Sequence, residues 1–142
     1  MASVFKTKVA MLDIIKNFAD ALIQIGFRVE PHIKCSGQHV FYIDNVFIGD
    51  VYFQYNKEHR NMRRIVARFK YTVKLYHHIT YNADKVEEEY ALKMCDCEPR
   101  HITEDSIDIL YDIKNMLKDV YRNYKKAQNK IKELKMNGDF SE

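Results

Sequence analysis

Two short stretches hold the residue types that bind soft metals. "HIKCSGQH" places His32, Cys35 and His39 around a glycine, and "CDCEPRH" places Cys95, Cys97 and His101 just before an apolar run. Thiolate sulfur and imidazole nitrogen are the ligands of tetrahedral structural zinc, so four of these side chains from two loops would tie distant parts of the chain together. Neither stretch contains the Cys-x-x-Cys knuckle that usually accompanies such sites. The competing reading is two reduced loops, with a buried cysteine and exposed histidines. Three cysteines, an odd number, argue against a secreted disulfide framework and for a reducing, cytoplasmic setting.

A second chemistry would use histidine as acid and base. His78-Ile79-Thr80 and His101-Ile102-Thr103 are two His-x-Thr triplets. The pair resembles the hallmark of the 2H phosphoesterases, in which two such histidines act on a phosphodiester. That resemblance rests on these six residues, and it implies a catalytic set of His78, Thr80, His101 and Thr103. Thr103 also reads as the N-cap of the helix that follows. A PD-(D/E)xK nuclease core would need a second carboxylate and a lysine after Asp50, but "ARFK" supplies Arg68 and Lys70. Two-metal chemistry then lacks oxygen ligands. Phosphate-cradling glycine loops and nucleophile elbows are also missing from the sequence.

A third possibility is recognition without catalysis. The net charge is only +3, but it is segregated along the chain. Lys57 to His78 carries seven cations against Glu58, Asp84 to Asp108 carries nine carboxylates against three cations, and Lys114 to Lys135 is basic again. Arg63, Arg64, Arg68, Lys70 and Lys74, with Tyr76 among them, have the composition of a surface that tracks phosphates and stacks bases of single-stranded nucleic acid. The alternative is a solvated face whose cations lie against the acidic segment that follows. Tyr42, Phe47 and Tyr52 are further aromatics able to anchor a protein contact.

Periodicity indicates the elements that must position these groups. "SVFKTKVAMLDIIKNFADALIQIGF" repeats apolar residues at helical spacing and ends at Gly26, which predicts a helix with a glycine cap. That start reads as a helix rather than a signal peptide. "HVFYIDNVFIGDVYFQY" is two β-rich runs around Asp44-Asn45, a hairpin signature, and "RVEPHIK" before it fits a short edge strand. "RRIVARFKYTVKLYHHITY" alternates from Ile65 to Tyr81, longer than an ordinary strand, which predicts a bend, a bulge or a hairpin partner running beyond the sheet. "ADKVEEEYALKM" reads as a short acidic helix capped by Asp84, with Glu87 three residues on.

From Thr103 onward, Leu110, Leu117, Tyr124 and Ile131 repeat every seven residues, and Ile113, Val120, Ala127 and Leu134 fill the companion position. That is a coiled-coil seam. A helix of this length spans about 50 Å, whereas a domain this size has a radius of gyration near 14 Å, so its end should overhang and need a partner.

The expected fold is α+β: an N-terminal helix, an antiparallel sheet of three or four strands, a short acidic helix and a long C-terminal coiled-coil-like helix. Residues 1–102 would form the α+β domain, 103–138 the long helix, packing on that domain and/or forming a coiled coil with the first helix or a second copy, and 139–142 a tail. No apolar run reaches the roughly 20 residues a membrane span needs. The composition leans toward that of AT-rich genomes, phages among them. It fits a phage-type inhibitor or accessory factor acting in a host cytoplasm. The expected function is non-catalytic binding of a protein or nucleic-acid partner, with self-association through the seam. The alternatives are a histidine-dependent phosphodiesterase and a zinc-stabilised module.

Overall fold

The computed structural model describes residues 8–32, 37–55, 63–103 and 106–139. Helix α1 (Lys8–Ile25) leads into strands β1 (Arg28–Pro31), β2 (His39–Ile43), β3 (Val46–Tyr55), β4 (Arg63–Asn82), β5 (Lys85–Asp96) and β6 (Arg100–Ile102). Helix α2 (Asp108–Asp139) follows. The strands make one antiparallel sheet in the order β1-β2-β3-β4-β5, with β6 also on β4. This is the α+β architecture anticipated above, with six strands among the described residues in place of three or four. No helix in the described residues is long and apolar enough to cross a membrane.

The extra strands have a clear origin. The segment expected to be a short acidic helix is β5, paired with the second half of β4 from Thr72↔Cys95 to Asn82↔Lys85. Val86, Tyr90, Leu92 and Met94 fall on alternate positions of that segment, and the partner strand was already extended. Cross-strand pairing therefore overrides a local capping pattern.

Both helices pack on the sheet. Met11, Ile15, Phe18 and Leu22 of α1 meet Phe41, Ile43, Val51, Phe53, Ile65 and Phe69 of the strands, and Leu110, Ile113, Leu117, Val120 and Tyr124 of α2 complete the core. Five of the eight seam positions are therefore occupied by the chain's own core, so over that length the helix packs on the sheet. Ala127, Ile131 and Leu134 lie outside that cluster and remain half-buried. A stripe with heptad spacing and a stripe that packs on a sheet look alike over three or four turns, because both require one apolar face.

Two glycines are dictated by close approach. Gly26 ends α1 at φ 132°, with its N–H donating to Ile23 O and the Phe27 N–H donating to Leu22 O. This is a Schellman closure. A Cβ there would also lie 2.6 Å from the Tyr121 ring. Gly49 stands opposite Phe69 of β4, and a Cβ would come 2.1 Å from Arg68 O and 2.9 Å from the Phe41 ring. The β2–β3 turn is tied to α2: Asp44 takes φ 54° and accepts from Lys125 Nζ at 3.3 Å and Gln128 Nε2 at 3.0 Å.

The start of α2 also differs from expectation. The helix begins at Asp108, five residues after Thr103. The Thr103 N–H donates to Ser106 Oγ at 2.9 Å, and the Ser106 N–H donates back to Thr103 O at 3.1 Å.

Candidate interaction surface: the projecting hairpin

Strand β4 belongs to two structures. From Arg63 to Phe69 it pairs with β3 on one side, and from Ile65 to Ala67 with β6 on the other. From Thr72 onward, β5 is its one partner among the described residues. Between Lys70 and Thr72 the register skips a residue of β4, and there the strand leaves the body of the sheet. Such a bulge bends a strand and increases its twist. Residues 72–82 then extend about 36 Å at 3.3 Å per residue. The arm turns back through Ala83, which sits at φ 53°.

The register separates the arm's two faces. One carries Val73, Leu75, His77, Ile79 and Tyr81 opposite Met94, Leu92, Tyr90, Glu88 and Val86. At its base, Val73, Leu92 and Met94 pack against the core. Towards the tip the same stripe is open to solvent, with Val86 61% and Tyr81 78% exposed. His77 and Tyr90 stack at 4.6 Å and 10°, joining the inner and outer parts of the stripe. The other face carries Lys74, Tyr76, His78 and Thr80 opposite Lys93, Ala91, Glu89 and Glu87. Lys93 Nζ lies 5.2 Å from the Tyr76 ring.

The basic residues expected to form one track have separate roles. Arg68 makes a two-pronged ion pair with Asp50, Nε to Oδ1 at 2.8 Å and Nη2 to Oδ2. Asp50 is 2% exposed and also accepts from Gln38 Nε2 at 2.7 Å. That bonding raises the Arg68 pKa above the ordinary guanidinium value, and the guanidinium lies over the Tyr52 ring. Arg64 Nε donates to Gln54 Oε1 at 2.9 Å. Lys70 stands opposite Asp96, and Lys74 opposite Lys93. The Arg63 side chain lies outside the described residues. Of the sequence's candidates, Lys74 and Tyr76 share a face on the arm, whereas Arg64 and Arg68 lie in the sheet body. A cleft of about 340 Å³ opens beside the ion pair, lined by Phe47, Asp50, Arg68, Asp96 and Cys97 among others.

The two histidine triplets are not brought together. His78 pairs with Glu89 near the arm's tip, whereas His101 pairs with Val66 in the body, twelve residues back along β4. That separation is roughly 40 Å at strand rise, too far for both to touch one phosphodiester. Thr80 and Thr103 are separated in the same way.

The proposed zinc ligands are scattered too. His39 is on β2, while His101 is on β6, across β3 and β4. Three strand spacings amount to about 14 Å. His39 Nδ1 hydrogen-bonds with Gly37 O at 2.9 Å, and the His32 N–H donates to Gln38 O at 2.7 Å. Cys95 is exposed on β5, Cys97 is half-buried at the arm's base, and Cys35 lies outside the described residues. Among the described residues, no three His, Cys, Asp or Glu side chains converge to hold a metal.

Sequence reasoning missed the arm's apolar face as a site. Its signal is the alternation of Val86, Tyr90, Leu92 and Met94, which the capping-box pattern of Asp84 and Glu87 obscures. Compared with known protein families, curated proteins and solved structures, the chain finds no significant match in any of the three.

Proposed function

We propose that the protein is a non-catalytic binding protein whose β4–β5 arm engages a partner protein. One observation carries this reading: the arm's apolar stripe begins in the core and continues into solvent on a hairpin whose two edges pair with no further strand among the described residues. An isolated two-stranded hairpin is marginal in water. Exposed apolar side chains grouped together mark contact surfaces, and unpaired strand edges invite added strands. A projection built this way is stable when a partner covers it.

The surroundings favour protein over nucleic acid. Arg68 is neutralised by Asp50, and Glu87 and Glu89 stand on the same arm face as Tyr76 and Lys74. Carboxylates there repel a phosphate backbone. The nucleic-acid reading would need labelled single-stranded oligonucleotide to bind with an affinity that falls steeply between 50 and 200 mM salt.

Site-specific photocrosslinking tests the proposal. A benzoylphenylalanine replaces Tyr81 on the arm or, as a control of similar exposure, Tyr111 on α2, in cells producing the protein. Adducts at position 81 and not at 111 are expected. Equal adducts at both positions, or none at 81, would overturn the reading.

A further inference from the structure

The arm has a counterpart at the same end of the molecule. Asp44, in the turn before β3, meets Lys125 and Gln128 of α2. The arm leaves the sheet just past the Gly49↔Phe69 pair, a few residues from that turn. The remainder of α2, to Asp139, therefore continues past the same sheet end, about 16 Å beyond Gln128 at 1.5 Å per residue. Ala127, Ile131 and Leu134 extend its apolar stripe outside the core. The molecule thus ends in two prongs, one a β-arm and the other a helix, each with an incompletely covered apolar face.

The charges on the two prongs are opposite. Asp84, Glu87, Glu88 and Glu89 cluster at the arm's tip against Lys85, while the helix end carries Lys125, Lys126, Lys130, Lys132 and Lys135 against Glu133 and Asp139. Arm against arm would set carboxylates face to face, and helix against helix would do the same with lysines. Arm against helix brings unlike charges and two apolar stripes together, and electrostatic complementarity of this kind selects one pairing over the others.

We infer that the arm's occupant is a second copy of this chain: two molecules meet end to end across a two-fold axis, each arm lying along the other's overhanging helix. Two-fold symmetry repeats the contact, so Leu75, Ile79, Tyr81 and Val86 of each copy cover Ile131 and Leu134 of the other. The inference rests on reading the arm as the binding element and adds the identity of what it binds.

Sedimentation velocity on the full chain, from about 5 to 200 µM, tests it with two double variants. Ile79→Glu with Tyr81→Glu spoils the arm, and Ile131→Glu with Leu134→Glu spoils the helix. All four positions lie outside the core, and circular dichroism checks that both variants fold. The wild type is expected to dimerise and each variant to dissociate at least 50-fold more readily. An equimolar mixture of the two variants should regain association, because a mixed pair keeps one of its two arm–helix contacts intact. A monomeric wild type at 200 µM, a dimer indifferent to either variant, or a mixture no stronger than its components would overturn the inference. Crosslinking from position 81 separates this failure from that of the broader reading. Adducts of twice the chain's mass support the second copy. Adducts of another mass overturn it and leave the arm as a binding element, and no adducts overturn both.

Discussion

Strand β4 is built once and used twice. In its first seven residues Ile65, Ala67 and Phe69 are buried, and Val66 on the reverse face is buried as well. In the last eleven, no residue is fully buried, although the alternation of apolar and polar residues continues. The body and the arm thus have similar sequence texture but opposite surroundings. Alternation specifies a strand with two distinct faces, but it does not specify that both faces will be covered. Coverage comes from α1, α2 and β3, and it fades beyond the bulge: Val73, Leu92 and Met94 still pack against the core, whereas Ile79, Tyr81 and Val86 are exposed.

The contrast can be broken or sharpened by matched changes. Gly49→Ala should be the most damaging, because its Cβ meets backbone on the neighbouring strand and has no room to relax. A loss of more than about 3 kcal/mol in urea unfolding is expected. Leu117→Ala, fully buried on α2, should cost about 3 kcal/mol, whereas Leu75→Ala on the arm should cost less than about 0.5 kcal/mol in dilute solution. Similar losses at the two sites would mean the arm belongs to the body's cooperative unit.

Arg68→Ala leaves the Asp50 carboxylate buried with Gln38 alone. Because the guanidinium itself is half-exposed, water can replace part of what is lost, and about 2 kcal/mol is expected rather than the larger cost of a wholly buried pair. Ala83→Gly should act on the arm alone. Its left-handed backbone costs a β-carbon about 1 kcal/mol, so slower amide exchange at the hairpin tip, with an unchanged melting temperature, is the expected result.

The smallest effect is electrostatic. Gln128, then Lys125, hydrogen-bond Asp44 and hold its pKa below the ordinary aspartate value. A depressed carboxylate stabilises the fold at pH values above its unfolded pKa and loses that contribution as pH falls through the folded one. The melting-temperature gap between wild type and Asp44→Asn should therefore be constant above about pH 5 and shrink below about pH 4. The position is exposed, so less than about 1 kcal/mol is involved. A gap that widens in acid would contradict the arrangement.

Much of the body was legible in the residues. The 3.6 spacing of Met11, Ile15, Phe18 and Leu22 marks α1, Gly26 marks its stop, and Asp44-Asn45 marks the hairpin turn. The excess length of β4 required a bulge or a protruding hairpin, and the structure has both. Segment 83–94 was misread because Asp84 and Glu87 mimic a capping box, a local signal that carries no information about the strand waiting to pair with it. The Cys/His and His-x-Thr groupings were proximities in sequence alone. Strands β3 and β4 separate the first set, and the length of β4 separates the second. The ion pair of Asp50 and Arg68 depends on a register between β3 and β4, which spacing along the chain does not encode.

The continuity of β4 has a mechanical consequence. From Arg63 to Asn82 the strand contains no glycine and no proline, so the arm has no hinge of the usual kind, and the bulge beside Tyr71 is its one irregular joint. A load applied at the tip runs along the backbone into the central strand of the core. There it is borne in shear by the ladders to β3 and β6, while between β4 and β5 the same load opens hydrogen bonds one at a time. The arm should peel apart long before the body yields.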